Sequence, residues 1–234
     1  LIWPHTPIYS GRPMQWPIAP ILLQKQEMQA EVIKCLAEAH SQQPERPIHL
    51  PVCLNLNSRS LEGLSSSEKL SELRLNGCTH LQDTSTLAGL KNLRILFLNS
   101  CEGLQRIDAF AGLKELSGLE HLWLYRCSGL VDTSVLAGLR NLKSLSLGEC
   151  VGVRGKGWLE CFDELGALEV LFLHDCLVLE GTLFLKNLPK LQRLNLRNCT
   201  GLKDVCSLDG LKGLKRMQEL TLSGCTGLER LPDI

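Results

Sequence analysis

The chain has 234 residues with 25 basic and 25 acidic side chains, so its formal net charge at neutral pH is zero and its pI is near 7.1. This length supplies enough apolar material for a buried core in one large domain or two small ones. The balanced charge gives no electrostatic reason to expect direct nucleic-acid binding or an anionic membrane as a partner. No run of about 18 or more apolar residues occurs, so the sequence predicts no membrane-spanning helix.

Residues 1–20 form the first segment and are rich in proline and aromatic residues. The five prolines are Pro4, Pro7, Pro13, Pro17 and Pro20, and the aromatic residues are Trp3, Tyr9 and Trp16. Proline at this density excludes a regular helix and favours an extended, polyproline-like chain. We therefore predict an extended N-terminal arm, which lies either on the protein's own repeats or on a partner.

Residues 21–50 are predicted as a capping helix and its connection to the first strand. Over 21–40 the apolar residues Ile21, Leu22, Met28, Val32, Ile33 and Leu36 alternate with charged ones. This pattern indicates an amphipathic helix, and its position suggests that it covers the exposed end of the unit that follows. Pro44, Pro47 and Pro51 then mark the connection.

Residues 51–234 carry an internal repeat. Seven blocks align in phase: LRLNGC (73–78), LFLNSC (96–101), LWLYRC (122–127), LSLGEC (145–150), LFLHDC (171–176), LNLRNC (194–199) and LTLSGC (220–225). Their cysteines are separated alternately by 23 and 26 residues. An eighth, imperfect copy is LNLNSR (54–59), with Arg59 at the position of the cysteine. The sequence thus predicts about eight copies of one structural unit.

Each block is predicted to be a short strand, because leucines at i and i+2 lie on one face of an extended chain. Leucines spaced by three follow the turn, for example Leu87, Leu90 and Leu93. This spacing indicates a return arm of 3₁₀ or short α-helix. The longer units insert three residues in this arm, so we expect fuller helices there.

These blocks resemble the leucine-rich-repeat family, in a cysteine-containing form with the pattern LxxLxLxxCxxL, and the resemblance covers roughly 54–234. It implies an α/β leucine-rich-repeat solenoid with a parallel sheet on one face and helical or 3₁₀ arms on the other. Parallel strands stack about 4.8 Å apart whereas helical arms need roughly 8–10 Å, so such a stack must curve. We expect a horseshoe with the strands on its concave face and the arms on its convex face.

The repeated cysteines are predicted to be buried free thiols at the corner where each strand ends. A small, weakly polar thiol can be buried there and can donate a hydrogen bond to a backbone carbonyl. An unpaired array of this kind is typical of a reducing compartment inside the cell, either the cytoplasm or an organelle matrix if a leader has been removed. Because no CxxC motif occurs, the sequence predicts no zinc site, and it suggests no other metal or cofactor.

The residues between the strand leucines are predicted to face the concave side. Four of the chain's eleven aromatic residues fall there, namely Phe97, Trp123, Tyr125 and Phe172. Tryptophan and tyrosine are enriched in interface hot spots, so we predict a partner-binding patch with Trp123 as its anchor. The full predicted set is Phe97, Trp123, Tyr125, Arg126, Phe172, His174 and Arg197. The alternative is that these aromatics only stack on one another across neighbouring strands.

The motif LHDC (173–176) brings a histidine, an aspartate and a cysteine together in sequence and suggests a nucleophile. Alternation, however, directs His174 to the concave face while Cys176 occupies the buried corner. A catalytic thiolate needs an exposed, activated thiol near its base. We therefore predict no catalytic residue and no enzyme activity.

The sequence predicts a non-catalytic interaction module that binds a protein partner, without a cofactor, a small-molecule substrate or a membrane. Two alternatives stay open. The first is a structural subunit of a large organellar or ribonucleoprotein assembly, attached through the N-terminal arm and the uncapped C-terminal end. The second is the recognition portion of a longer adaptor or receptor.

Overall fold

The computed structural model of the protein describes residues 29–42, 48–49, 56–67, 69–153 and 156–228. The predicted N-terminal arm (1–20) and the last residues (229–234) lie outside the described residues, and so do 21–28 of the predicted helix. What the sequence predicts for these segments stays a prediction.

The repeats form one parallel sheet of eight short strands in chain order. The strands are β1 (Ile48–His49), β2 (Glu72–Arg74), β3 (Ile95–Phe97), β4 (His121–Trp123), β5 (Ser144–Ser146), β6 (Val170–Phe172), β7 (Arg193–Asn195) and β8 (Glu219–Thr221). The register places the central leucine of each strand from β2 to β8 opposite the central leucine of the next, as for Leu96 and Leu122. Equivalent residues of the sequence repeat therefore occupy equivalent positions in the sheet. The predicted α/β leucine-rich-repeat solenoid is confirmed.

The return arms in the described part of the chain are 3₁₀ helices. They span Ser58–Ser66, Ser85–Gly89, Ala111–Glu115, Thr133–Leu136, Lys156–Glu164, Leu183–Asn187 and Val205–Leu211. Leucines three apart suit this geometry, which has three residues per turn. The N–H of Leu87 donates to the Thr84 carbonyl and that of Leu90 to the Leu87 carbonyl.

The prediction of fuller helices in the longer units holds for two of the three such arms. Lys156–Glu164 has nine residues and Val205–Leu211 has seven. Ala111–Glu115 has five, the same as Ser85–Gly89 in a shorter unit. Its unit places residues 105–108 in an exposed segment before the helix, where Arg106 forms an ion pair with Asp108 at 3.0 Å.

The first strand lies earlier in the chain than the sequence predicts. Ile48 pairs with Leu73 and His49 with Arg74, so the strand that pairs with β2 lies at Ile48–His49 rather than in the predicted copy LNLNSR (54–59). In that copy Asn57 is the N-cap of the helix Ser58–Ser66, and its side chain accepts a hydrogen bond from the Ser60 N–H at 3.1 Å. Asparagine favours this capping role. The sequence-based position of the first strand is therefore wrong, while the division into 1–20, 21–50 and 51–234 stays a prediction.

One continuous apolar core lies between the sheet and the 3₁₀ arms and is built mainly from the leucines of both. The helix α1 (Gln29–Gln42) adds Ile33, Leu36 and Ala37 to this core and packs against Ser58–Ser66. An amphipathic helix in this region is thus confirmed from Gln29 onward. Among the described residues, no helix has the length and apolar character needed to span a bilayer.

The corner cysteines form a regular ladder of thiol hydrogen bonds between repeats. Six of the seven donate to the carbonyl of the second block leucine in the preceding repeat: Cys101 to Leu75, Cys127 to Leu98, Cys150 to Leu124, Cys176 to Leu147, Cys199 to Leu173 and Cys225 to Leu196, at 2.9–3.5 Å. Burial raises the pKa of Cys101, Cys150 and Cys199 to about 12. The ten cysteines in the described part are free thiols, so the predicted buried, unpaired corner is confirmed.

Candidate functional site

The face of the sheet opposite the leucine core carries the residues that alternate with the strand leucines. We call it the open face, and it is the face predicted to be concave. Its central row runs from Arg74 on β2 through Phe97, Trp123, Ser146 and Phe172 on the following strands. Because the strands are in register, side chains from neighbouring repeats lie side by side in this row.

Four residues of this row form what we call the aromatic stack: Arg74, Phe97, Trp123 and Phe172. The Phe97 and Trp123 rings are 5.7 Å apart and nearly parallel, and the Trp123 and Phe172 rings are 5.8 Å apart. The Arg74 guanidinium lies 4.6 Å from the Phe97 ring centroid, a cation–π contact. Trp123 reaches Phe172 across β5 because Ser146, between them, is small and fully buried.

The side chains of the stack are more buried than those of residues that anchor a binding partner. Phe97 is 6% exposed and Trp123 is 9% exposed, whereas Phe172 is half-buried. Ile95 joins Phe97 and Trp123 in a small apolar cluster that is separate from the leucine core. Stacking across strands, the alternative drawn from the sequence, thus describes the geometry of Phe97 and Trp123. Sequence reasoning missed Ile95, although period-two alternation directs the residue before each first leucine to the same face.

Next to the stack, at the ends of β4, β5 and β6, lies a second group, which we call the strand-end cluster: Tyr125, Arg126, Glu149, His174 and Asp175. The Tyr125 and His174 rings stack with centroids 5.3 Å apart. His174 lies over Gly148, where an added Cβ would come within 2.2 Å of the imidazole Cε1. The glycine in this copy therefore makes room for the ring.

Hydrogen bonds and ion pairs hold the charged members of the strand-end cluster. The Tyr125 hydroxyl donates to Glu149 Oε1, and Arg126 Nε lies 3.5 Å from Glu149 Oε2. The Asn198 amide donates to Asp175 Oδ1 at 2.9 Å. Burial lowers the pKa of His174, although the carboxylates of Asp175 and Glu149 oppose this shift. The hydrogen bond to Glu149 raises the pKa of the Tyr125 hydroxyl.

Glu149, His174 and Asp175 have potential metal-ligand atoms that all lie within 4.8 Å of one another. Both carboxylates, however, are already bound by protein groups, and Arg126 places a positive charge on Glu149. A divalent cation would have to displace this guanidinium. We therefore describe the group as a hydrogen-bonded network, and the absence of a metal site stays a prediction.

The residue before each repeated cysteine has a left-handed backbone in all seven copies. The residues are Gly77, Ser100, Arg126, Glu149, Asp175, Asn198 and Gly224, with φ between +54° and +78°. Only the first and last are glycine, the residue that takes this conformation without steric cost. Sequence reasoning missed this corner, although glycine or asparagine in three copies was a signal for it.

The structure confirms that the cysteine of LHDC lies at the buried corner and its histidine on the open face, while the absence of catalysis stays a prediction. Cys176 is buried at the corner, its Sγ donates to the Leu147 carbonyl at 3.5 Å, and burial raises its pKa well above the ordinary value. His174 lies on the open face beside Tyr125. A protonated, buried thiol has no nucleophilic role.

The seven predicted binding residues divide into two kinds. Phe97, Trp123 and His174 are buried beneath the open face. Tyr125 and Phe172 are half-buried, and Arg126 and Arg197 are exposed. Six of them have the alternation that directs side chains to the open face, whereas Arg126 lies at the left-handed corner where the strand has ended.

No family model matches the chain, and no curated protein is significantly similar to it. Among solved structures, the mouse RP105/MD-1 complex is similar with 26% identity over 72% of this chain and a TM-score of 0.50. The chain spans only 29% of the length of that matched chain. Internalin C2 from Listeria monocytogenes is similar with 24% identity and a TM-score of 0.50, over 76% of this chain and 68% of its own. These neighbours and the in-phase parallel sheet with its 3₁₀ arms show that the chain has the leucine-rich-repeat fold.

Proposed function

We propose that the protein is a non-catalytic interaction module that binds a protein partner through the open face of its solenoid, without a cofactor. A solenoid of this kind offers an extended surface assembled from successive repeats. RP105 was solved in a complex with MD-1, so one structural neighbour binds a protein. This supports protein binding as the general class of function.

The observation that carries the proposal is the aromatic stack. The fold requires leucines in the core and a cysteine at the corner, but it sets no requirement for aromatics between them. Other repeats place Arg74, Ser146, Asn195 and Thr221 at the same position. Three stacked aromatic rings form a rigid surface, and a rigid surface loses little conformational entropy when a partner binds.

The seven predicted residues differ in how exposed their side chains are, and we assign them different roles in binding accordingly. Tyr125, Phe172 and Arg197 offer accessible surface to a partner, and they include residue types enriched in hot spots. Phe97 and Trp123 form the floor beneath Phe172 and hold its ring in place. The mixed charges beside them, Arg126 and Glu149, suit the polar rim of a protein interface.

The test is site-specific photo-crosslinking in native extract, followed by affinity measurement with the purified partner. A photo-crosslinking side chain is placed at Tyr125 on the open face and, as the control, at Lys186 in the arm Leu183–Asn187. We expect one protein to be captured from position 125 and not from position 186. Tyr125→Ala should then weaken its binding by about 2 kcal/mol, roughly 30-fold, while Lys186→Ala leaves it unchanged.

Capture from position 186 alone, or an unchanged affinity in Tyr125→Ala, would contradict open-face binding. A third crosslinking position at Thr226, in the last repeat and exposed, tests the alternative of a structural subunit. Capture there and not at position 125 would favour attachment through the C-terminal repeats.

We also propose a reducing intracellular compartment for the protein. Its support is the set of ten free thiols in the described part, of which Cys206 is exposed. In an oxidising compartment an exposed thiol is open to disulfide formation. Fractionation of cells, with mass spectrometry of the thiol state of Cys206, tests this: a disulfide at Cys206 in freshly blocked extract would contradict it.

A further inference from the structure

A groove of about 560 Å³ runs along the strand-end edge of the solenoid, beside the open face. Four successive repeats contribute to it, and the residues that matter are Glu102, Arg126, Glu149, Val151, Asp175 and Leu177. The aromatic stack does not line it. The groove therefore shares the rim residues Arg126 and Glu149 with the surface in the proposed function, but its apolar contacts, Val151 and Leu177, lie outside that surface.

The apolar lining of the groove departs from the repeat. The residue after each repeated cysteine is polar in five copies: Thr79, Glu102, Ser128, Thr200 and Thr226. In the other two copies it is Val151 and Leu177, which are 57% and 58% exposed. These two copies are neighbours, so the apolar side chains fall together in one groove. Exposed apolar residues clustered inside a polar rim are typical of a binding surface.

The charged lining departs from the repeat in these two copies and in the copy before them. Arg126, Glu149 and Asp175 occupy the left-handed corner position, where the end copies have Gly77 and Gly224. A non-glycine residue in this conformation costs about 1 kcal/mol. The chain therefore keeps charged side chains at the rim of the groove at a cost to its stability.

The charge of the lining indicates what the groove can bind. Glu102, Glu149 and Asp175 supply three carboxylates against the single guanidinium of Arg126, which is itself paired with Glu149. An acidic rim around two apolar side chains complements a segment with lysine or arginine next to an apolar residue. Four repeats span three strand spacings, about 14 Å, which is the length of four or five extended residues.

We propose that this groove docks an extended peptide segment of a partner protein, in which apolar side chains contact Val151 and Leu177 and flanking lysine or arginine side chains pair with Glu149 and Asp175. The proposal does not depend on open-face binding. It adds a second interaction surface along the strand-end edge of the same repeats.

The experiment selects binders to the whole protein from a phage-displayed library of random peptides of about twelve residues, roughly 40 Å when extended. Synthetic copies of the enriched peptides are then titrated by fluorescence polarisation against two double variants. Val151→Ser with Leu177→Ser removes the apolar contacts. Glu149→Gln with Asp175→Asn removes the charges, and asparagine tolerates the left-handed backbone at position 175.

Matched controls use exposed residues away from the groove. Leu183→Ser removes an apolar side chain that is 64% exposed, and Glu160→Gln removes an exposed carboxylate. Urea unfolding of every variant establishes that it remains folded. We expect enriched peptides that combine lysine or arginine with an apolar residue, an affinity loss of about tenfold or more in each groove variant, and no change in the controls.

Peptide binding should also weaken with added salt, because screened charges attract less. The proposal is overturned if no peptide is enriched or if the enriched peptides are acidic. It is equally overturned if the groove variants bind as tightly as the unchanged protein, since the peptides then bind another surface.

Discussion

At the scale of single residues, the corner cysteine serves two needs at once. Its side chain is small and apolar enough to be buried in the core, and its thiol donates a hydrogen bond to a backbone carbonyl of the preceding repeat. The regular spacing of the cysteines along the sequence was sufficient to predict that they are buried at the corner. The left-handed corner was harder to predict, because Ser100, Arg126 and Glu149 are residue types that give no sequence signal for a positive φ.

The buried thiols should make the protein sensitive to alkali. Burial raises the pKa of Cys150 from its ordinary value near 9 to about 12. Above pH 9 the unfolded chain therefore loses thiol protons that the folded chain retains, so the stability present below pH 9 falls as the pH rises towards 12. Each such thiol should lower the free energy of unfolding by about 1 kcal/mol per pH unit in this window.

Urea unfolding at about pH 8 and pH 10 checks this prediction. Cys150→Ala should be less stable than the unchanged protein at the lower pH, but its loss on going to the higher pH should be smaller by about 1 kcal/mol. The exposed Cys206 provides the control, because Cys206→Ala should retain the full pH-dependent loss. An equal loss in Cys150→Ala would mean that its thiol does not stay protonated in the fold.

The left-handed corner gives a second prediction at this scale. Gly77 has φ +71°, so Gly77→Ala should lower the free energy of unfolding by about 1 kcal/mol. Gly89→Ala is the matched control, because its backbone is not left-handed and an added Cβ there meets no atom within 4 Å. That change should be neutral or slightly stabilising, since alanine reduces the entropy of the unfolded chain. Equal effects of the two changes would show that the corner is not strained.

At the scale of elements, the sequence predicted strands β2 to β8 because each carries leucines at i and i+2 and a cysteine three residues further on. The first strand was misplaced because the copy at 54–59 matches the leucine pattern. Its Asn57 and Ser58, however, start a helix: the Asn57 side chain caps the N–H of Ser60. The capping asparagine marks the start of a helix after this copy, which the leucine spacing alone did not indicate.

The aromatic stack is an element-scale feature, because it joins β2, β3, β4 and β6. The burial of Trp123 between two rings predicts a structural contribution besides any contact with a partner. Trp123→Ala should lower the free energy of unfolding by about 3 kcal/mol, through the lost apolar contact and ring stacking. Trp123→Phe should cost less than half as much, because a phenyl ring still stacks on Phe97.

Chemical denaturation of both variants provides the measurement. A loss below about 1 kcal/mol in Trp123→Ala would show that the stack contributes little to the fold. The expected loss also explains why Tyr125 and not Trp123 is the residue to change in a binding test. Tyr125 is half-buried at the strand-end edge, so its truncation separates binding from folding more cleanly.

At the scale of the whole molecule, each repeat contacts only its neighbours, so stability is expected to vary along the solenoid. The two described ends of the sheet differ. Near the first end, α1 covers the core with Ile33 and Leu36. At β8, Leu220 and Leu222 are only partly buried, whereas Leu194 and Leu196 one repeat earlier are fully buried. The sequence repeat predicts units of equal stability. The difference between the two described ends arises instead from how far the core is covered at each of them.

This asymmetry should appear in native-state hydrogen exchange. The Leu98 and Leu124 amides, which donate to Trp123 and Ser146 in the middle of the sheet, should be the better protected. The Leu196 amide, which donates to Thr221 of β8, should exchange about tenfold faster or more, equivalent to about 1.4 kcal/mol less opening free energy. Leu220→Ala should accelerate exchange at Leu196 and leave Leu98 unchanged. Equal protection of the three amides, or an equal response to Leu220→Ala, would instead mean that the repeats open as one cooperative unit.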